Sequence, residues 1–197
     1  MTFKINYLQM KRNILFITVV LVLAMFAGCQ KGDGDADYGY TNIYMPQATV
    51  TGGLNLNYAV PSGDGFETYN YKIDSINHKL NVILGVIRSG KQSDDGYSVS
   101  VSVNKDTTTQ LITKNVITNG VLLPDASYTL PTSVSVPAGQ SYSSFYLSID
   151  AVTLKTFSGK KAAITIAISN PSNYTLYTKY SKTVVIIDVD AIKAKLK

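Results

Sequence analysis

The chain has 197 residues, of which 45% are hydrophobic, and its 18 basic and 13 acidic residues give a formal net charge of +5 at pH 7. It has a single cysteine, which excludes an intramolecular disulfide, so stability must come from packing. Three of the basic residues precede residue 29, and a chain cleaved there has a formal charge of only +2. The charge therefore does not favour nucleic acid as a partner.

The first 28 residues have the pattern of an export signal. Lys4, Lys11 and Arg12 precede an uncharged, mostly apolar stretch at 14–27. This stretch has the length of a signal-peptide core, whereas a membrane-spanning helix needs about 20 residues. Translation can start at Met1 or at Met10, since basic residues also follow Met10 directly.

Cys29 follows the small pair Ala27-Gly28, and this order resembles a bacterial lipobox with Phe26 in place of the usual leucine. The resemblance implies cleavage before Cys29 and acylation of its thiol and amino group, and two or more acyl chains anchor a protein stably. The next residues, QKGDGDAD, resemble the acidic export tag of Bacteroidetes-type surface lipoproteins. We therefore expect a signal peptide at 1–28, a lipidated flexible tether at 29–40, and a lipid anchor in the outer membrane with the protein facing the cell exterior.

The same aspartates also open the D-x-D-x-D pattern of a calcium-binding loop. Such a loop needs glycine at its sixth position and glutamate at its twelfth. Tyr38 and Tyr44 stand at those positions, so the calcium interpretation fails.

Beyond the tether the sequence predicts β-strands almost throughout. Apolar and polar residues alternate at 97–103, 133–136, 145–150 and 162–168, whereas 80–87 and 184–187 are almost continuously apolar. Alternation indicates a strand with one buried face, and a continuous run indicates a strand covered on both faces or well inside a sheet. We expect Val82, Leu84 and Val86 to be nearly inaccessible.

Helix signals are scarce. A short turn is expected at 106–112, N-capped by Asp106 with Leu111 and Ile112 packing inward, and a frayed turn is expected at 190–197. Many short strands without alternating helices favour an all-β fold, an antiparallel sandwich of about seven strands at 41–190. A short basic tail at 191–197 follows.

Several stretches together resemble the module known as domain of unknown function 1735, from about Asn42 to Asp190. They are NIYMPQA, NYKIDSINHKLNVILGVIRSG, VSVSVNKDTTTQLI, LLPDASYTLPTSVSVPAGQSYSSFYLSID, AISNPSNYTL and VVIIDVD. The resemblance implies an immunoglobulin-like sandwich in a Bacteroidetes surface lipoprotein of a glycan-uptake gene cluster. Relatives often carry a second domain downstream, whose activities do not transfer to this chain, and the family brings no catalytic residues.

The sequence offers little for catalysis. His78 is the only histidine and is interpreted as a solvated turn residue. Three carboxylate pairs have spacings that specify no chemistry: Asp64 with Glu67, Asp94 with Asp95, and Asp188 with Asp190. We therefore expect no enzymatic activity, no cofactor and no metal.

Tyrosines are the candidate ligand contacts, because the chain has 14 of them and no tryptophan. Tyr69 and Tyr71 share a face with Ile73 and are assigned to the core. Tyr174, Tyr177 and Tyr180, with Asn173, lie in a polar stretch and are predicted to bind a ligand, with at least two of the three rings exposed on one surface. The alternative is that they are ordinary half-exposed strand residues.

Two short motifs, Asp74-Ser75-Ile76 and Asp106-Thr107-Thr108, resemble the O-glycosylation acceptor of exported Bacteroidetes proteins. Attachment at Ser75 or Thr107 requires that the hydroxyl be exposed.

Together these features predict a non-enzymatic cell-surface lipoprotein that binds a glycan or assists a glycan-uptake complex. Its expected partners are outer-membrane lipid through acylated Cys29, a glycan, and an outer-membrane importer complex, and nucleic acid is not among them. The alternative is a structural or adhesive surface protein that contacts other proteins through a sheet edge.

Overall fold

The structure is a computed structural model that describes residues 40–50, 55–90 and 94–196. The predicted signal peptide, the lipidation site Cys29 and nearly all of the predicted tether lie outside the described residues. The described residues form one compact unit.

The described residues contain twelve strands and four short α-helices. The strands are β1 Asn42–Tyr44, β2 Asn55–Val60, β3 Tyr71–Asp74, β4 Lys79–Arg88, β5 Tyr97–Val103, β6 Gly120–Leu122, β7 Tyr128–Thr129, β8 Ser133–Val136, β9 Tyr142–Asp150, β10 Lys161–Ser169, β11 Thr175–Leu176 and β12 Lys182–Asp188. The helices are α1 Pro46–Thr49, α2 Lys105–Thr113, α3 Ala151–Lys155 and α4 Val189–Lys193. Single 3₁₀ turns occupy Asp125–Ser127 and Thr178–Tyr180.

The strands form two six-stranded sheets, so the predicted all-β sandwich is confirmed. The first sheet has the order β11-β1-β4-β9-β7, with β3 also paired to β4, and the second has the order β2-β12-β10-β5-β8, with β6 also paired to β10. The described strands outnumber the seven expected, and three pairs are parallel rather than antiparallel: β1 with β11, β6 with β10, and β2 with β12. The strands of each pair are distant in sequence, and a hydrophobic pattern does not show whether two such strands pair in parallel or antiparallel.

The centre of the first sheet is the β4–β9 pair, which is antiparallel from Lys79 opposite Asp150 to Ile87 opposite Tyr142. Side chains of a strand alternate between the two faces of the sheet. On β4 the inward positions include Val82, Leu84 and Val86, which are fully buried in the main core, so this prediction is confirmed.

The second sheet is covered on both faces at its centre. Ala162, Ile164, Ile166 and Ile168 point into the main core as the alternation predicts, but the residues between them on β10 are buried as well. On that outer side a smaller cluster brings Ile117 together with Ala163 and Val184, and Leu111 and Ile112 pack against it. The one-sided interpretation of β10 was therefore wrong, while the two-sided burial expected for 184–187 is confirmed in three of its four residues.

Helix α2 begins earlier than predicted. Its N-cap is Asn104, not Asp106, and the Asn104 side chain accepts a hydrogen bond from the backbone N–H of Thr107 at 3.0 Å. Asn satisfies a free N–H at a helix start as well as Asp does. At the other end of the chain, α4 crosses residue 190, the expected end of the sandwich, and buries Ile192 in the main core.

Candidate functional site

The segment of Tyr174, Tyr177 and Tyr180 lies beside β1, where β11 pairs with it. Tyr177 is 39% exposed, whereas Tyr174 and Tyr180 are half-buried and pack against the main core. The expectation that at least two of these rings are exposed was therefore wrong. Tyr174 and Tyr180 are partly shielded from solvent because neighbouring aromatic and cationic side chains pack on their rings.

Tyr174 packs against the main core. Its ring meets Tyr97 edge-on with centroids 5.9 Å apart, and the guanidinium carbon of buried Arg88 lies 5.0 Å from its centroid. The Tyr174 hydroxyl donates a hydrogen bond to the Asp95 carbonyl at 3.4 Å. Burial raises the pKa of Tyr97 to about 12, so the Tyr97 hydroxyl is neutral at physiological pH. These contacts give Tyr174 a role in holding the fold.

Tyr177 and Tyr180 pack on each other edge-to-face with centroids 4.8 Å apart, and Tyr180 also meets Tyr44 at 6.3 Å. The ammonium of Lys179 lies 5.4 Å from the Tyr180 centroid. Exposed Asn173 accepts a hydrogen bond from the backbone N–H of Tyr174 at 2.9 Å, which fixes the turn. Ligand binding by Tyr177 and Asn173 stays a prediction.

A second group of tyrosines forms a cleft of about 250 Å³ at the middle of β4. We call it the tyrosine groove. Its lining is entirely uncharged: Pro46, Gln47, Val50, Tyr58, Tyr69, Ile83 and Tyr142.

The groove lies between β3 and β1, where β4 has no strand neighbour on one side among the described residues. Side chains and a bend replace the missing strand: the Gly85 N–H donates to Gln47 Oε1 at 3.3 Å, and the Tyr58 hydroxyl donates to the Ile83 carbonyl. The Ile83 N–H donates to the carbonyl of buried Asn70 at 2.8 Å. Backbone groups need such partners when they leave water, so Gln47 and Tyr58 are held in fixed positions.

Tyr142 reaches the groove from the other side of β4 because Gly85 has no side chain. A Cβ atom on Gly85 would lie 2.6 Å from Tyr142 Cε2 and 2.9 Å from its hydroxyl oxygen. The ring therefore lies close against the Gly85 backbone while remaining 42% exposed. This packing presents the ring to solvent in one defined orientation.

Tyr69 forms the outer wall of the groove and is 77% exposed. Burial raises the pKa of Tyr58, a hydrogen bond from Gln47 lowers it, and the nearby Tyr69 and Tyr142 raise it further. Tyr58 is therefore a neutral phenol at physiological pH. The groove combines two exposed rings with phenol and amide groups.

Sequence reasoning missed this groove. Tyr69 was assigned to the core with Tyr71, but β3 begins only at Tyr71, so the alternation does not extend back to Tyr69. The assignment is confirmed for Tyr71, which is fully buried, and was wrong for Tyr69. A detectable signal was Gly85 within an apolar strand, because such a glycine often marks close approach of another group.

The residues considered for catalysis lie apart and have structural roles. His78 is exposed in the β3–β4 turn, as predicted, with a φ of 51°. Asp188 caps α4 by accepting from the Ala191 N–H at 3.0 Å, and Asp190 accepts from the Ser158 hydroxyl at 2.6 Å. Among the described residues there is no group of three or more His, Cys, Asp or Glu side chains that could hold a metal ion.

The other two carboxylate pairs also lie at the surface. Glu67 pairs with Lys72 at 3.3 Å, and Asp64, Asp94 and Asp95 are exposed. None of these pairs lines the tyrosine groove.

The two candidate glycosylation sites differ in exposure. Ser75 is exposed in the β3–β4 turn, whereas Thr107 is half-buried in the first turn of α2. Modification at either residue stays a prediction, with Ser75 the more accessible.

In the part of the chain that the structure describes, no helix has the length and apolar character needed to cross a membrane.

Comparison with known proteins shows the family to which the chain belongs. A family model described as an N-terminal domain matches residues 39–175, more than half of the chain, and the chain therefore belongs to this family of N-terminal domains. The resemblance to the module known as domain of unknown function 1735 is confirmed. No curated protein matches the chain.

Among solved structures, the chain is similar to a multidomain protein including DUF1735 from Bacteroides ovatus, with 16% identity, a TM-score of 0.47, and coverage of 76% of this chain and 45% of the other. It is also similar to a protein of unknown function from Bacteroides ovatus, with 22% identity, a TM-score of 0.43, and coverage of 55% and 36%. An auxiliary nutrient binding protein from Bacteroides thetaiotaomicron has 19% identity, a TM-score of 0.42, and coverage of 55% and 36%. The chain spans less than half the length of each of these proteins.

Proposed function

We propose that this protein is a non-enzymatic lipoprotein of the cell surface, anchored in the outer membrane by acylated Cys29, and that its sandwich binds a glycan or serves a glycan-uptake complex. The observation that carries the proposal is the tyrosine groove, with exposed Tyr69 and Tyr142 beside Gln47.

The groove offers what a sugar needs. The C–H faces of a sugar ring pack on flat aromatic surfaces, and its hydroxyls need hydrogen-bond partners such as amides and phenols. Tyr142 presents a ring held against Gly85, and Gln47 and Tyr58 are held by bonds to the β4 backbone. A pre-formed site loses little entropy when it binds, so these restraints favour affinity.

The lining of the groove also supports binding rather than catalysis. The described residues that line it include no carboxylate, histidine or cysteine, whereas glycoside hydrolysis normally requires two carboxyl groups flanking the scissile bond.

A glycan array tests the proposal, followed by titration calorimetry on the glycans that bind. A chain that starts at residue 30 keeps all of the residues that form the compact unit and avoids the lipid. We expect Tyr69→Ala and Tyr142→Ala each to weaken binding by about three- to tenfold, the loss of one stacking contact. Tyr177→Ala tests the competing segment predicted from the sequence, and if the groove is the site this variant should bind as the wild type does.

Two results would contradict this assignment. Loss of binding with Tyr177→Ala alone would place the site in the segment predicted from the sequence. Absence of binding to every glycan on the array would refute glycan binding by this domain and leave the adhesive alternative.

A further inference from the structure

A second cleft opens on the same side of the first sheet as Tyr142. Residues 142 and 146 of β9 lie opposite Ile87 and Ile83 of β4, so both tyrosines are on the outer face. They are four residues apart along one strand, a distance of about 13–14 Å. Ser144, which is exposed, lies between them opposite Gly85.

The second cleft has a volume of about 400 Å³ and is lined by Thr129, Leu130, Pro131, Tyr146 and Ser148. Tyr146 is 48% exposed. Thr129 and Ser148 are register partners across the β7–β9 pair, so their hydroxyls share the outer face. The cleft therefore repeats the composition of the tyrosine groove: an exposed aromatic ring beside neutral hydrogen-bonding groups.

The outer face between and around the two clefts has little net charge. Lys72 pairs with Glu67 at 3.3 Å, and Lys79 pairs with Asp150 at 3.6 Å. Asp74, at the end of β3, adds a further negative charge, and local hydrogen bonds from Asn77 lower its pKa, so it is ionised at physiological pH. An anionic ligand finds no unneutralised cation among these residues.

Resting on the proposed function, we propose that the outer face of the first sheet binds an extended, uncharged glycan chain. The chain crosses the β4–β9 pair on that face and stacks on Tyr142 in the tyrosine groove and on Tyr146 in the second cleft. The two tyrosines lie in separate clefts, and their backbone positions are about 13–14 Å apart, so both can be engaged only by an oligosaccharide or polysaccharide. The paired charges make an acidic glycan a poorer ligand than a neutral one.

The test uses the best neutral glycan from the array as a disaccharide, a tetrasaccharide and a hexasaccharide, with polygalacturonic acid oligomers as the acidic probe. Affinity should rise from disaccharide to hexasaccharide. Tyr146→Ala should weaken hexasaccharide binding by about three- to tenfold and leave disaccharide binding unchanged, whereas Tyr142→Ala should weaken both.

Val116→Ala is the matched control, because Val116 is an exposed apolar residue that follows α2 on the opposite sheet. It should change neither affinity. Thermal melts show whether each variant is folded. If Tyr146→Ala melts early, Tyr146→Phe with Ser148→Ala removes the hydroxyls of Tyr146 and Ser148 while keeping the aromatic ring, and this variant should still lower hexasaccharide affinity.

The proposal is refuted by equal affinity for all chain lengths, by hexasaccharide binding that is insensitive to both Tyr146 variants, or by acidic oligomers that bind as tightly as neutral ones. Each of these results leaves glycan binding at the groove intact. Failure of the groove itself is distinct, because Tyr69→Ala and Tyr142→Ala would then have no effect on any ligand.

Discussion

Replacing Gly85 with alanine should move Tyr142 without removing it. The added Cβ would stand 2.6 Å from Tyr142 Cε2, 2.9 Å from its hydroxyl oxygen and 3.1 Å from Cζ. Carbon atoms in contact are normally about 3.5–4.0 Å apart, so the ring must swing away by roughly 1 Å or more. The outer end of an exposed side chain can do this, whereas a backbone could not.

The effect on stability should be small. Alanine in a strand is favoured over glycine by about 0.5–1 kcal/mol because glycine loses more backbone entropy on folding. The displaced ring of Tyr142 loses part of its packing on β4, which opposes this gain. The net change in the free energy of unfolding should therefore stay within about 1 kcal/mol, or about 2–4 °C in melting temperature.

Glycan binding should nevertheless fall by about three- to tenfold, as for Tyr142→Ala. Calorimetry on Gly85→Ala, Tyr142→Ala and the double variant measures whether the two residues act as one unit. The double variant should bind no more weakly than Tyr142→Ala. Wild-type affinity in Gly85→Ala, or a further loss of affinity in the double variant, would refute the role assigned to Gly85.

Three other predictions concern the anchor and the core. Cys29→Ala should abolish labelling by a fatty-acid probe and leave uncleaved precursor, and undiminished labelling would end the lipoprotein proposal. Leu84→Ala should lower the free energy of unfolding by about 2–5 kcal/mol, because the side chain is fully buried, and a melt within a degree or two of wild type would contradict this. Tyr174→Ala should lower the free energy of unfolding by about 1–3 kcal/mol by removing the ring from Tyr97 and Arg88. Tyr177→Ala should lower it less, by about 0.5–1 kcal/mol, because this more exposed ring packs edge-on against Tyr180. Equal melting temperatures for wild type and Tyr174→Ala would show that Tyr174 does not support the fold.

The sequence pattern was sufficient for the sandwich and for the inward face of β4, because the period of a strand reports which residues share a face. It could not report what later covers the other face. On the alternation alone, Ala163 faces solvent on β10, but Ile117, beyond the end of α2, packs on it. That burial depends on a contact between segments that are distant in the chain.

The candidate site was harder to predict for a related reason. Tyr174 lies in a polar stretch, and local composition could not show that Arg88 and Tyr97 come from other strands to pack on it. Tyr142 is paired with Ile87 of β4, and Gly85 lies two positions from Ile87 on the same face. The Tyr142 ring can lie in the groove because Gly85 has no side chain there. Neither relation can be inferred before the strands are paired.

The groups that replace a strand along the middle of β4 also protect the protein against aggregation. An unpaired strand edge is a template on which a strand of another molecule can add, and this is a common route to aggregation. Here the Tyr58 hydroxyl donates to the Ile83 carbonyl, the Gly85 N–H donates to the Gln47 side chain, and the Ile83 N–H donates to the backbone carbonyl of Asn70. Each bond removes a donor or acceptor that a neighbouring copy could use, so the residues that shape the groove also keep molecules apart where they are crowded together.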